Sequence, residues 1–503
     1  MADKIRIGVV GAGTMGRGIV QLFAQAGHRV VCCDAQPGAA AVAVDHVLGQ
    51  LRRNVEKGRL TEEAFERIRG AIDAADDLSA LAGCAIVVEA IVEDLGAKRE
   101  LFRRLEAIVG DDAVLASNTS SLTVSDIAAG CAHPSRVAGL HFFNPVPLMK
   151  VAEVVAAVRT APQTVQRLEA ITQGAGHRAV VTVDQPGFLV NHAGRGLYTE
   201  GLRIVEEQVA TPAEVDDVLR EGMGFRMGPF ELLDLTGLDV SAKVMASIYD
   251  QFQQEPRFRP SSLVPPRVAA GLYGRKSGEG WYRYQDGKPV RPAAPGVPVL
   301  DPGVQVWVDP HAAQAQSLTA LAQAAGLRLA ARAADADLAV VQPWGQDATS
   351  VALSLGLDPQ RTVAVDPITP FAQRRTVMLT AVTRTAARDA AHGLLASDGV
   401  PVTVINDSGG FIAQRVMATI INIAANIAQR GIASVADLED AVKLGLGYPH
   451  GPLGWGDRIG AARILAILRA QHEATGDPRY RPSPWLVRRV SLGLSLLTPE
   501  AAR

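Results

Sequence analysis

The first residues along this chain whose types and spacing suit a chemical task are Gly11-Ala12-Gly13-Thr14-Met15-Gly16. They follow an apolar run, Ile5–Val10, and lead into a helical pattern from Arg17 to Gln25. In that setting the first glycine permits a tight turn, the second lets the backbone approach a pyrophosphate, and the third allows close packing of helix on strand. The helix N-terminus then faces the negative charge. A lone glycine triplet is a weak signal. Here a strand pattern precedes it, a helix pattern follows, and Asp34 closes the next apolar run at the spacing expected of a ribose-binding acid. A carboxylate at that point accepts from ribose hydroxyls and repels a 2′-phosphate, and neither Ala35 nor Gln36 supplies a compensating arginine, so the expected cofactor is NAD. The alternative is a tight turn with no ligand.

Other candidates are ambiguous taken alone. His141 ends an apolar run, where a histidine is either a reactive base or a satisfied core residue. Ser120 lies in SNTSSLTVSDI, a stretch rich in helix-capping residues. Arg52, Arg53 and Lys57 cluster in LRRNVEKGR, and such charge on a helix is usually a solvated face. The four cysteines, Cys32, Cys33, Cys84 and Cys131, lack metal-type spacing and read as small core fillers.

The elements that must position these residues begin with a βα alternation. Strand patterns at Ile5–Val10, Arg29–Asp34, Ile86–Ala90, Val114–Ser117, Val137–His141 and Val151–Val155 alternate with helical ones, the mark of a parallel sheet covered by helices. From Gly187 to about Ile248 the pattern is helical, and a glycine-rich tail at 271–284 closes it. A Pro- and Gly-rich stretch, Gln285–Gly303, reads as a linker. Strand patterns resume at Val304–Asp309, Leu338–Gln342 and Thr362–Val365, and a second helical stretch starts at Gly410. At 503 residues, several domains are expected.

A constant offset pairs Gly187, Phe188, Gly222, Gly224, Gly228, Pro229, Asp234 and Gly237 with Gly410, Phe411, Gly445, Gly447, Gly451, Pro452, Asp457 and Gly460. So many coincident Gly and Pro positions indicate a duplicated helical domain. The expected fold class is an α/β Rossmann domain followed by an all-α domain, then a degenerate Rossmann-like α/β unit and a second copy of the all-α domain. The expected boundaries are 1–185, 186–285, a linker at 286–303, 304–400 and 401–503.

A net charge of −2 gives no reason to expect nucleic acid or an anionic membrane as partner. The N-terminus passes directly into a strand pattern, with no signal-peptide organisation, and no window reaches the length of a membrane span. A cytoplasmic location is expected.

Through VEAIVEDLGAK, ASNTSSL, RVAGLHFFNPVPLMKVAEV, PGFLVN and MGPFELLDLTGLD, residues 1–285 resemble the 3-hydroxyacyl-CoA dehydrogenase family. The resemblance implies a Rossmann domain for NAD followed by a helical domain, with an acyl-CoA bound between them. It places the catalytic histidine on His141 and its partner acid on Glu153. Such a pair suits the chemistry: when hydride leaves C3 of a secondary alcohol its hydroxyl proton must leave too, and a carboxylate-anchored imidazole is a suitable base. It places polar groups that contact the reacting end of the substrate on Ser120 and Asn191. Glu93, Lys98 and Asn118, with Thr14 and Met15 of the glycine turn, fall on cofactor-facing positions. For Glu93 and Lys98 the alternative is a solvated surface ion pair. Lys57, with Arg52 and Arg53, matches the basic helix that meets the nucleotide end of CoA.

The long form resembles the bacterial branch acting on 3-hydroxybutyryl-CoA or, in phenylacetate breakdown, 3-hydroxyadipyl-CoA. Arg226, where many members have proline, is either a contact for a terminal carboxylate or a surface residue. In the second half, Asp309-Pro-His-Ala-Ala-Gln stands where a glycine turn is due, Asp366 aligns with His141, Met378 with Glu153 and Gln414 with Asn191. That half is therefore expected to be structural, and the chain is expected either as a homodimer or as a monomer whose two helical domains pair internally as two chains pair in short family members. Two other functions stay open: a dehydrogenase of free hydroxy acids, and a non-catalytic, crystallin-like NAD-binding protein.

Overall fold

The computed structural model describes residues 4–500. The chain forms two compact units, one of residues 1–192 with 430–446, the other of 193–429 with 447–503. These bodies cut across the five segments expected from sequence, because part of each helical segment packs on a sheet remote from it in sequence.

The first unit is built on an eight-stranded sheet of β1 (Arg6–Val10), β2 (Arg29–Cys33), β3 (Ile72–Ala75), β4 (Ile86–Glu89), β5 (Val114–Ser117), β6 (Val137–Phe142), β7 (Val151–Ala156) and β8 (Arg178–Val183). Its order is β3-β2-β1-β4-β5-β6-β7-β8, parallel throughout except for the antiparallel pair β6–β7. Helices cover both faces, so the inner strands are continuous apolar runs rather than alternating ones. Phe23, Val47 and Leu51 pack on one face, Phe102 and Leu105 on the other. Cys32 and Cys33 are buried in these two separate cores, and burial pushes the Cys32 thiol up to about 12.

Strands β3 and β8 had no counterpart among the expected strands. They are the two edges of the sheet, and Ile72-Asp73-Ala74-Ala75 lacks the apolar density that marks a central strand. The β8 edge is closed from far along the chain. Val183 N donates to Ile432 O (3.0 Å), and Arg178 pairs with Asp437 (2.7 Å) and Asp440 (3.0 Å) on the helix Val435–Gly445.

In the second unit the helices Arg195–Glu206 and Ile412–Gln429 pack closely; a Cβ on Gly196 would lie 3.1 Å from the backbone of Ile420. Arg415 is buried between Glu200 and Glu207, at 2.7 Å from each, and Tyr480 also donates to Glu200 (2.8 Å). Removing one partner from such a buried network costs about 3–5 kcal/mol.

Where the sequence predicts a linker, a hairpin comes first: β9 (Arg283–Gln285) and β10 (Lys288–Val290), turned by Asp286-Gly287 with both residues at positive φ. A second sheet follows, of β11 (Gln305–Val308), β12 (Arg328–Leu329), β13 (Leu338–Val341), β14 (Thr362–Val365), β15 (Arg375–Leu379) and β16 (Val402–Ile405), in the order β12-β11-β13-β14-β15-β16. Again one pair, β14–β15, is antiparallel. Just beyond β16, Asn406 N donates to Val209 O (3.0 Å). Val209 and Asn406 stand at the same sequence offset from Ile432 and Val183, so each sheet is capped by the helical segment belonging to the other.

Candidate active site

The glycine turn joins β1 to the helix Thr14–Gln25. Gly11 has φ +113°, and a Cβ there would strike Ala90 O at 2.4 Å; one on Gly16 would strike Gly11 O at 1.8 Å. Both are required by the protein's own packing. Gly13 is not: its backbone is extended, and a Cβ would meet nothing within 4 Å. Its bareness leaves room in front of the helix N-terminus, which is where a pyrophosphate needs to approach. Asp34 ties the turn to the end of β2, accepting from Ala12 N (2.7 Å) and Gln36 N (2.9 Å), and it stays partly exposed. The remaining lone pairs of its carboxylate suit ribose hydroxyls, so these residues fit NAD.

Beside the turn, Glu93 and Lys98 are not a solvated pair. Lys98, on the helix Leu95–Ile108, is buried, bonded to Glu89 (2.5 Å) at the end of β4 and 3.3 Å from Glu93. Glu89 also accepts from Ser117 Oγ (2.6 Å). Glu93 Oε1 gathers Thr119 Oγ1 (2.6 Å), Ser120 N (3.1 Å), Ser121 N (3.1 Å) and Ser121 Oγ (2.9 Å). Burial pushes the Glu93 carboxyl up, but Thr119, the Lys98 cation, Ser121 and Ser120 together outweigh it and hold the group below its ordinary value. The Ser120 side chain is exposed, and the cap of the helix Val124–Ala128 is Thr123, so Ser120 is not a capping residue. Asn118 Oδ1 accepts from Phe142 N (2.9 Å), fastening the end of β5 to β6.

The reversal at β6–β7 sets His141 directly across from Glu153. His141 Nδ1 lies 2.6 Å from Glu153 Oε2, and both side chains are buried. The other carboxylate oxygen accepts from Leu189 N (2.9 Å) and Val190 N (2.8 Å). Those N–H groups are aimed by a turn with Gly187 at φ +71° and Phe188 at φ +48°, a left-handed conformation that costs a non-glycine residue about 1–3 kcal/mol. Phe143 and Phe188 flank the imidazole, with ring centroids at 4.5 and 5.8 Å. Asn191 is partly buried in the short helix Val190–Ala193, next to the N–H groups that hold Glu153.

A cleft of about 480 Å³ opens beside this centre, lined among others by Thr14, Arg17, Arg53, Lys57, Asn144 and Pro145. Arg52 does not reach it. It is held by Glu62 (2.7 Å) and Glu66 (3.7 Å) and stacks over Phe65, because a helix places successive side chains about 100° apart. Arg226 is exposed.

Sequence reading missed Glu89, Ser117, Arg17 and the Leu189 and Val190 amides. Glu89 had a signal, a carboxylate ending the apolar run Ile86–Glu89, but the amides had none.

In the second unit, Asp366 follows β14 at the place that His141 holds on β6, but the residue across the ladder is not Met378. Asp366 N donates to Thr376 O (3.0 Å), while Met378 pairs with Ala364. The connecting segment is two residues shorter than its counterpart, which shifts the register and puts a threonine opposite the aspartate. Gln414 Nε2 donates to Asp366 Oδ1 (3.0 Å).

A glycine turn, a strand-end acid and a buried His–Glu pair on one Rossmann sheet define an NAD-dependent oxidoreductase. Residues 6–185 match the NAD-binding domain of 3-hydroxyacyl-CoA dehydrogenase, and residues 187–284 and 410–496 both match that family's C-terminal domain. The chain belongs to the 3-hydroxyacyl-CoA dehydrogenase family. It is 36% identical to the 3-hydroxyadipyl-CoA dehydrogenase of Escherichia coli K12, over 98% of both chains. The crystal structure of a 3-hydroxybutyryl-CoA dehydrogenase from Escherichia coli K12 superposes with a TM-score of 0.86 at 35% identity, covering 97% of this chain and 99% of that one. A probable 3-hydroxybutyryl-CoA dehydrogenase of Bacillus subtilis is 38% identical over 98% of its own length but only 56% of this chain. Among the described residues, no helix is long and apolar enough to cross a membrane.

Proposed function

We propose that the chain oxidises a (3S)-3-hydroxyacyl-CoA to the 3-oxoacyl-CoA, with His141 as the base and Glu153 as its anchor. One observation carries this reading. Glu153 accepts from two backbone N–H groups through one oxygen, and because a carboxylate only accepts, the 2.6 Å contact of its other oxygen with His141 Nδ1 is a hydrogen bond when Nδ1 carries the proton, which leaves Nε2 with a free lone pair. That nitrogen takes the hydroxyl proton, and the carboxylate stabilises the resulting imidazolium. Bound NAD⁺ supplies the acceptor for the hydride. Ser120 and Asn191 orient the reacting oxygen, as the family resemblance implies.

Arg17, Arg53 and Lys57 bind the phosphates of CoA. Among the described residues none of the three has a carboxylate partner, in contrast to the neighbouring Arg52. This favours a CoA thioester over a free hydroxy acid. The names of the two full-length relatives point to a short or a dicarboxylic acyl chain.

The second half is, on this proposal, a duplicated and non-catalytic copy that supplies in one chain the helical surface a second subunit would otherwise bring. Two features favour duplication: both helical segments match one family domain, and both sheets carry a single antiparallel pair before their last strand.

NADH oxidation followed with acetoacetyl-CoA, 3-oxoadipyl-CoA and the corresponding free acids tests the reading. Turnover is expected only with the thioesters, and the better of the two assigns the chain length. Equal rates with free acids would overturn it.

A further inference from the structure

The second unit holds a cleft of about 370 Å³ whose lining includes Trp344, Ile368, His450, Trp455, Arg458 and Arg463. No carboxylate lines it. Arg463 lies over the Trp344 ring, 4.9 Å from its centroid, and donates to the Ile459 carbonyl (3.2 Å). Arg458 Nη1 donates to His450 Nε2 (3.3 Å). Burial, and then the Arg458 charge, lower the pKa of His450, so the imidazole is available as a neutral acceptor. Among the described residues neither guanidinium is paired with a carboxylate, although Arg374, Arg375, Arg415 and Arg479 of the same unit all are. Two uncompensated cations therefore stand at the mouth of an aromatic cleft.

The corresponding positions of the first helical segment, which matches the same family domain, carry aliphatic residues. Leu235 stands where the second segment has Arg458, Val240 where it has Arg463, Leu232 where it has Trp455, and Met227 where it has His450. The two segments thus differ in the same direction at several positions around one cavity: the second carries an indole, an imidazole and two guanidinium groups where the first carries apolar side chains.

We propose that this cleft binds a planar organic anion, an aromatic or heteroaromatic ring bearing a carboxylate or phosphate, with the ring against the Trp344 and Trp455 indoles and the anionic group at Arg458 and Arg463. Guanidinium forks match both anions in bidentate geometry, and aromatic faces favour stacked rings. The pairing of the two helical segments carries this inference, and the catalytic reading does not enter it.

The test uses the full chain saturated with NAD⁺, so that the glycine-turn site is filled, and follows tryptophan fluorescence during titration with benzoate or adenosine 5′-monophosphate. Saturable quenching is expected. Response to benzoate alone assigns an arylcarboxylate, and response to the nucleotide alone assigns a nucleotide. Both Arg458 and Arg463 are exposed, so the Arg458→Ala/Arg463→Ala variant is expected to fold, to bind NAD⁺ as before and to weaken probe binding by about tenfold or more. The proposal is overturned if neither probe saturates by about 10 mM, a limit corresponding to negligible affinity, or if the double variant binds as the parent does. Because no turnover is measured, failure here is separate from failure of the dehydrogenase assignment.

Discussion

The two sheets bring a titratable side chain to the same place beside an antiparallel strand pair, and only one of them completes the arrangement. On β6, His141 meets Glu153, and that carboxylate is met in turn by two backbone amides. After β14, Asp366 faces Thr376 and a glutamine amide, with no counter-charge. The backbone tells the same story. Phe188 is held at φ +48° where its turn must aim amides at Glu153, whereas Phe411, its counterpart in the second half, is absent from the positive-φ residues. Local strain is retained where a buried anion uses it and is relaxed where the anion is missing.

The most drastic way to break this comparison is to separate the halves. A chain ending at Pro302 loses the segment that closes β8, and light scattering is expected to find dimers or aggregates; a fully active monomer would show that the second half is dispensable. Next comes His141→Ala, expected to lower kcat by about 10²–10⁴ while NADH binding, read by fluorescence, is unchanged. The matching change in the second half, Asp366→Asn, is expected to leave kcat alone and alter stability instead. Burial raises the Asp366 carboxyl to about 7, so between its ordinary range and pH 7 the folded chain keeps a proton that the unfolded chain releases. Stability contributed in acid is thus lost as pH rises through that window. Asparagine keeps the shape without the charge and is expected to stabilise the protein above about pH 7, on the order of 4 kcal/mol, as seen in denaturant midpoints. Asp216, also raised to about 7 by burial, retains its own dependence, so the slope is reduced rather than abolished. The smallest effect is expected from Lys57→Ala, about a tenfold rise in KM for the CoA thioester with little change in kcat, whereas Arg52→Ala changes neither.

Much of the site was legible because its signals are local. The glycine turn and Asp34 are fixed by steric rules within one βα unit. The sequence also placed His141 at a strand end, but the opposition of His141 and Glu153 depends on the length of the segment between β6 and β7. That is why the same reasoning misplaced Met378, where two residues are missing. Arg52 and Arg53 are adjacent in the sequence and differ only in the side of the helix they occupy, which composition does not reveal. The edge strands β3, β8, β12 and β16 were missed because their pairing partners, rather than their own residues, define them, and the internal strand β15 was missed with them. Least legible was the closing of each sheet by the other half's helical segment, a relation between positions 250 residues apart in one case and 198 in the other.

That closing has a consequence for how the protein is made. Val183 leaves the ribosome long before Ile432 does, and at about 5–20 residues per second the interval is on the order of ten seconds to a minute. Throughout it, the nascent N-terminal sheet presents a bare β8 edge, a template for pairing with any neighbouring strand. In the finished enzyme Ile432 and the helix after it lie against that edge, and slowing elongation in the second half of the message lengthens the time for which a chaperone must guard the first.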